Sequence, residues 1–254
     1  FRRLRALLDD LGAAWFGAGE NLSESLRGAI LEANGVRLGF LGGADEASGT
    51  RPFATADGWG VALLKTGLLV EGIRAMRERV DHVIVSPHWG RERFRVPSIE
   101  QVEQARVFVD AGASMVLGHH PHVVQGLERR GQAVIAYSLG NFLAESVCYD
   151  NGDAITWSRF ERTGRIVLAE LRRDGIERVD SFPTYDDGRR IRIDDGPRGR
   201  GILVRADHAL AGLTPDAYRR ETRLATSIRP FLDRFRWERI KATARRILRG
   251  RRER

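Results

Sequence analysis

The fold class is legible in PSIEQVEQARVFVDAGASMVLGHHPHVVQG, residues 97–126. Ser98 and Gln101 stand three apart, the pattern of a capping box, so a helix starts just after Ser98. Ile99, Val102, Ala105 and Val109 recur on one helical face, and Gly112 supplies the stop. SMVLG then reads as a short buried strand, and it runs straight into GHHPHVVQG (118–126). That turn holds His119, His120 and His122, half of the six histidines in the chain. A helix passing into a buried strand that ends in coordinating side chains is one unit of a layered α/β fold.

Neighbouring stretches repeat the unit. RRLRALLDDLG is an amphipathic helix stopped at Gly12, and VRLGFLGG (36–43) is a strand followed by the loop ADEASGTRPFATADG. TGLLVEGIRAMRERV places Leu69, Ile73, Met76 and Val80 on one helical face. DHVIVSPHWG (81–90) is an apolar strand entering a loop, and QAVIAYSLGN is another after a turn at Arg130–Gly131. In such sheets ligands gather beyond the carboxyl ends of the strands. His88, the histidine trio and Asn141 all fall there. Further on, GRIVLAELRRDGIERVDSFPTY reads as a hairpin turning at Asp174–Gly175. RRIRIDDGPRGRGILVRAD reads as loop and strand, and TPDAYRRETRLATSI and RPFLDRFRWERIKATARRILRG as helices. The expected division is a main domain over 1–205 and a helical, Arg-rich segment over 206–254.

The 254 residues are 42% hydrophobic and 30% charged, an ordinary globular composition. The net charge of +8 is not spread over the chain. Residues 229–254 hold eleven Arg or Lys against three acidic residues, which accounts for all of it. The main domain is formally neutral, so no nucleic acid is expected as a partner. The basic segment is expected to form an amphipathic helix with Phe231, Leu232, Phe235 and Ile240 on its apolar side. It would lie on an anionic membrane surface or pack on the domain. Cys148 is alone, which excludes an internal disulfide. No uncharged apolar run reaches the roughly 18 residues of a transmembrane helix. The first residues, FRRLRALLDD, lack the apolar core of a signal peptide, and the chain is expected to begin partway through a longer protein.

His120-Pro121-His122 sends two imidazoles from one turn toward a shared region, with proline restricting the backbone between them. Imidazole suits zinc, iron and manganese, and two such ions clamp an anionic oxygen. One histidine after a strand is commonly a capped loop residue. Clustering with His88 favours a metal site instead. His82 and His208 stand apart and read as structural. Trp89 either walls the site or packs in the core, and the core is favoured. Glu92 is a ligand, an acceptor for an imidazole N–H, or a surface charge. Asn141, beside Gly140, is placed to orient a histidine or a substrate. Asp45, Glu46 and the pair Asp9–Asp10 read as solvated.

HWGRE, DAGASMVLGHHPHVVQGLE and YSLGNF, in that order and spacing, resemble the bacterial capsule-synthesis proteins of the poly-γ-glutamate (CapA) type. GAGENLSES also resembles a segment of that family. The family is similar to the calcineurin-like metallophosphoesterases, which implies a layered α/β sandwich around two divalent ions (Mn, Fe or Zn). Carried over by position, His88 matches a lone histidine after a core strand, and His120 and His122 match a histidine pair. Both sets of matches imply metal-ligating, catalytic residues, with Asn141 beside them and His119 a neighbour. Departures are Arg93–Phe94 where the family often has tyrosine, and Ser114 where it often has aspartate. The family's early Gly-Asp, Asn-Leu-Glu and Asn-Asn-His segments are not found in this chain.

Three functions follow. One is a metal-dependent hydrolase of capsule or poly-γ-glutamate biosynthesis, acting on a phosphoester or an anionic polymer. Another is a non-catalytic envelope scaffold of a polymer synthesis or export complex. The third is a mononuclear site of His88, His120 and His122. The implied location is the bacterial cytoplasm or cell envelope, peripheral to the membrane.

Overall fold

The computed structural model describes residues 2–145, 147–148, 154–155 and 157–229. In chain order they form α1 (Arg2–Asp10), β1 (Ala18–Gly19), α2 (Leu22–Leu26), β2 (Ala29–Ala33) and β3 (Val36–Ala44). Next come β4 (Gly60–Val61), α3 (Thr66–Arg77), β5 (His82–His88), α4 (Ile99–Asp110) and β6 (Met115–Leu117). β7 (Leu127–Arg130), β8 (Ala133–Ala136), β9 (Val147–Cys148) and β10 (Ala154–Ile155) follow. The last elements are β11 (Thr163–Arg172), β12 (Gly175–Asp186), β13 (Ile191–Ile193), α5 (Pro197–Ala211) and α6 (Pro215–Arg223).

The main sheet has the order β2-β3-β5-β6-β8-β7. Its four inner strands are parallel, and β2 and β7 close the edges antiparallel. This is an α/β fold in layers. On one face, Leu69, Ile73 and Met76 of α3 and Val102, Ala105 and Phe108 of α4 pack on Val83, Val85, Val116 and Ile135. On the other, Val167 and Ala169 of β11 and Ile176 and Val179 of β12 cover Ile84, Met115 and Val134. Alternation along β5 sends Val83 and Val85 to the helices and Ile84 to the hairpin, as the period of two requires. With both faces covered, the inner strands carry no polar side until they reach their ends.

The capping box on α4 forms as the sequence indicates: Gln101 N donates to Ser98 Oγ at 3.2 Å, and Ser98 N donates to Gln101 Oε1 at 2.9 Å. Its buried face is centred on Val102, Ala105 and Phe108, with Val109 at the margin of the core. Phe108 was missing from the expected stripe because its neighbours Val107 and Val109 are apolar as well. The β11–β12 hairpin pairs Arg172 with Gly175, so its two turn residues are Arg173–Asp174, one position earlier than expected.

The largest correction falls on residues 197–211. They form α5, not loop and strand: Pro197 occupies the first turn, and Ile202, Leu203 and Ala206 supply the buried face. Gly199 and Gly201 had weakened the helical pattern, but packing on β7 and β12 overrides that penalty. The chain divides into two compact units, Phe1–Leu213 and Thr214–Arg254. α5 runs through residues 205 and 206, where the sequence reading put its boundary. In the second unit, Thr214 caps α6 by accepting from Ala217 N. The expected basic helix lies outside the described residues, apart from Arg229.

Candidate metal centre

The parallel register brings the ends of β3 and β5 level, with Ala44 opposite His88. Residues just beyond these ends therefore share one rim of the sheet. His119 extends the pairing: its N–H donates to Pro87 O at 2.9 Å, and its carbonyl accepts from Trp89 N at 3.1 Å. After it the chain turns sharply. His120 and His122 have φ of 94° and 57°, and Arg93 across from them has 65°. Non-glycine residues avoid this left-handed region, and clusters of them mark functional sites. A hydrogen bond from Arg93 N to Pro121 O, 2.8 Å long, ties the two strained segments together.

The turn can begin there because residue 118 is glycine. A Cβ at Gly118 would lie 2.0 Å from Tyr137 O and 2.5 Å from Trp89 Nε1. Trp89 itself is fully buried, donates through Nε1 to Tyr137 O at 2.9 Å, and stacks on the Tyr137 ring. It belongs to the core beneath the rim.

Above that core the imidazoles converge. The ring centres of His88 and His120 are 4.7 Å apart, and those of His120 and His122 are 5.9 Å apart. Glu92, exposed on the loop after β5, offers a carboxylate oxygen that lies within 4.8 Å of ligand nitrogens on both His120 and His122. Asn141 orients the His122 ring. Its Nδ2 donates to Glu161 O at 3.0 Å, so its Oδ1 faces His122 Nδ1 at 2.9 Å as an acceptor. His122 Nδ1 must then carry the hydrogen, leaving the Nε2 lone pair for a ligand.

Asp45 also belongs to this rim. Its N–H donates to His88 O at 2.9 Å, and its carboxylate accepts from Ala47 N and Gly90 N. The sequence pattern places Asp45 in a solvated loop, whereas the structure ties it to His88 and Gly90. Its signal was positional: it directly follows a strand that pairs in parallel with the one ending in His88.

Burial is the main electrostatic influence on the imidazoles. It pushes His88 down to about 4, with His120, His119 and His122 adding repulsion and Asp45 opposing. Burial also lowers His119, and it lowers His120 against the pull of Glu92 and Asp45. At neutral pH these rings are neutral, which is the form that binds a metal ion. Neutral imidazoles with Asp45 and Glu92 as anionic neighbours match the donor preference of Zn, Mn or Fe.

A groove of about 340 Å³ opens beside His88 and His119, walled by Phe16, Gly17, Gly42, Gly43 and Thr50. His82 and His208 are elsewhere: His82 starts β5 at the far end of the strand, and His208 lies in α5. Glu46 is exposed beside Asp45.

Histidines and carboxylates gathered beyond the carboxyl ends of a parallel sheet define an α/β protein with a candidate metal centre. The chain belongs to the family described as bacterial capsule synthesis protein PGA_cap, whose profile matches residues 1–146. It is 34% identical over 173 residues to the capsule biosynthesis protein CapA of Bacillus anthracis, covering 66% of this chain and 39% of that protein. Over 168 residues it is 34% identical to the PGA biosynthesis protein CapA of Bacillus subtilis (strain 168), covering 66% of this chain and 41% of the relative. The chain thus spans about two fifths of the length of these curated relatives. Among solved structures, the sulfate thiohydrolase SoxB of Thermus thermophilus is similar at a TM-score of 0.43 and 16% identity, over 80% of this chain and 31% of that one.

Proposed function

We propose that this chain carries a divalent-metal site of a phosphoesterase-type hydrolase working in capsule or poly-γ-glutamate biosynthesis. The observation that carries the reading is the Glu161–Asn141–His122 relay, which directs His122 Nδ1 to Asn141 and leaves its other ring nitrogen to a ligand, on a residue that clusters with His120 and Glu92. His88, with its ring centre 4.7 Å from that of His120, and Asp45, whose charge acts on both rings, stand beside this set. A bound divalent ion supplies Lewis acidity toward a phosphoryl or acyl oxygen.

The protein's own groups do the rest. Asn141 holds the His122 ring against rotation, and the left-handed turn at His120 and His122 sets both rings before any ion arrives. Asp45 and Glu92 supply negative charge that offsets the cation. The glycine wall of the adjacent groove lets an anionic substrate group approach backbone beside His88 and His119. The family and the names of the relatives support a role in building the capsule polymer at the cell envelope. Substrates in keeping with the site are a phosphoester or the anionic polymer itself. Among the described residues, no helix is long and apolar enough to cross a membrane.

The test is metal loading followed by hydrolysis. The chain is stripped with chelator and reloaded with Mn²⁺ or Zn²⁺. Bound metal is measured by elemental analysis, and turnover on bis(p-nitrophenyl) phosphate. Metal that binds and falls at least about tenfold in both His120→Ala and His122→Ala supports the site. Equal metal content in all three proteins overturns it. Metal binding without hydrolysis of any phosphodiester, in this chain or a longer form of the protein, would favour the scaffold role.

A further inference from the structure

The turn that leads into β11 meets the candidate metal centre twice. The Trp157 ring packs against the His122 ring, with centres 5.2 Å apart. The Glu161 carbonyl accepts from Asn141 Nδ2, and the same amide contacts His122. Hydrogen bonds from Glu161 N and Arg162 N to Ser158 O, at 3.0 and 2.9 Å, close the turn. Only the main chain of Glu161 takes part in that relay, and its carboxylate does not.

That carboxylate is buried. The Glu161 side chain is 6% exposed, a position a charged group holds only beside a partner. Oε2 accepts from Ser158 N at 2.8 Å, which fixes the group within its own turn. Oε1 lies 2.8 Å from Arg93 Nε, as an ion pair without hydrogen-bond alignment. Arg93 comes from the loop after β5, where its N–H donates to Pro121 O. Adjacent residues of that loop therefore serve different partners. Glu92 offers an oxygen beside His120 and His122, and Arg93 meets Glu161.

A guanidinium next in sequence to a carboxylate ligand works against a cation site in two ways. It repels a divalent ion, and it competes for the carboxylate. A fixed anion that holds the guanidinium counters both effects, and a buried one is screened little by salt.

We propose that Glu161 is a positioning residue of the candidate metal centre, acting through Arg93: its carboxylate holds and neutralises the guanidinium, so that Glu92 stays available to the ion. This role rests on the metal site proposed above. It makes the turn before β11, which the hairpin on the sheet's second face anchors, part of the electrostatics of the rim.

The test is a charge cycle on the 254-residue chain, with Zn²⁺ alone as the probe and its affinity measured by competition against a chromophoric chelator. Glu161→Gln keeps an acceptor for Ser158 N and removes the charge, and it should weaken Zn²⁺ at least about tenfold. Arg93→Gln removes the opposing cation and should tighten Zn²⁺ about threefold or more. The pair Glu161→Gln with Arg93→Gln should return to within about threefold of the parent. Opposite signs in the two single variants are what a merely structural role cannot produce, since lost packing weakens both. Circular dichroism checks that each variant is folded. Should Glu161→Gln not fold, Arg93→Gln decides alone: tighter binding supports the role, and equal or weaker binding overturns it. Parent-like affinity in Glu161→Gln, or a loss in the pair as large as in Glu161→Gln, overturns it too. A parent that takes up no Zn²⁺ overturns the metal site and this role with it, a result distinct from the others because in those the parent still binds.

Discussion

Asn141 Oδ1 lies 2.9 Å from His122 Nδ1, and its Nδ2 donates to Glu161 O at 3.0 Å. Because the carbonyl can only accept, the amide has one permitted orientation, and the histidine inherits one tautomer from it. Asn141→Ala should lower metal affinity about 10- to 100-fold without unfolding the chain. Competition against a chromophoric chelator measures it. Affinity equal to the parent would show that His122 is oriented by something else.

Gly118 is the hinge between β6 and the histidine turn. Its absent side chain leaves room for Tyr137 O and the Trp89 ring nitrogen, both immobile in the core. Gly118→Ala should destabilise the fold by about 2 kcal/mol or more, the usual cost of overpacking a rigid site. Urea denaturation followed by tryptophan fluorescence gives the number. A stability within 0.5 kcal/mol of the parent, the scatter of about neutral surface changes, would contradict the close contact.

Arg165 of β11 is wholly buried as a side chain, and its Nη2 meets Asp207 Oδ1 of α5 at 2.7 Å. The same oxygen accepts from Leu127 N on β7 at 2.8 Å. Asp207→Ala leaves a buried guanidinium without its counter-ion and should cost about 3 kcal/mol, the low end for such pairs because Asp207 is half open. Thermal unfolding checks it. Asp207→Asn, which keeps an acceptor, should lose less.

Tyr137 is fully buried, and its hydroxyl donates to Glu128 Oε2 at 2.9 Å. Burial first, and then the Glu128 carboxylate, raise its pKa above the ordinary tyrosine value. The folded state keeps a proton that the unfolded chain releases near pH 10, so above that pH the unfolded state binds fewer protons. The contribution of the hydroxyl is complete below about pH 10 and declines as pH rises beyond it. Urea unfolding of the parent and Tyr137→Phe between pH 8 and 11 should therefore show a stability gap that narrows at the alkaline end. Parallel pH profiles would refute the assignment.

Residues 229–254 carry charge equal to the whole net +8. Removing them should abolish co-sedimentation with vesicles rich in phosphatidylserine and leave the behaviour on neutral vesicles unchanged. Equal binding by both forms would dispose of a membrane role for the segment.

The sequence by itself determined the strand–helix units, the capping box at Ser98 and Gln101, and the placing of His88 at a strand end and of His120, His122 and Asn141 beyond others. Those features are local: periodicity of two or 3.6, a cap three residues long, and a strand run that stops at a polar turn. The motif spacing also carried the family resemblance, because spacing survives where contacts are not visible. Only the tertiary structure decided that Asp45 stands beside His88, since that depends on β3 and β5 pairing in parallel across 44 residues of chain. It alone turned residues 197–211 into a helix, where burial of Ile202, Leu203 and Ala206 outweighs two interior glycines. The tautomer of His122 was likewise invisible, because it is set by a carbonyl 39 positions away that reaches it only through the folded Asn141 side chain.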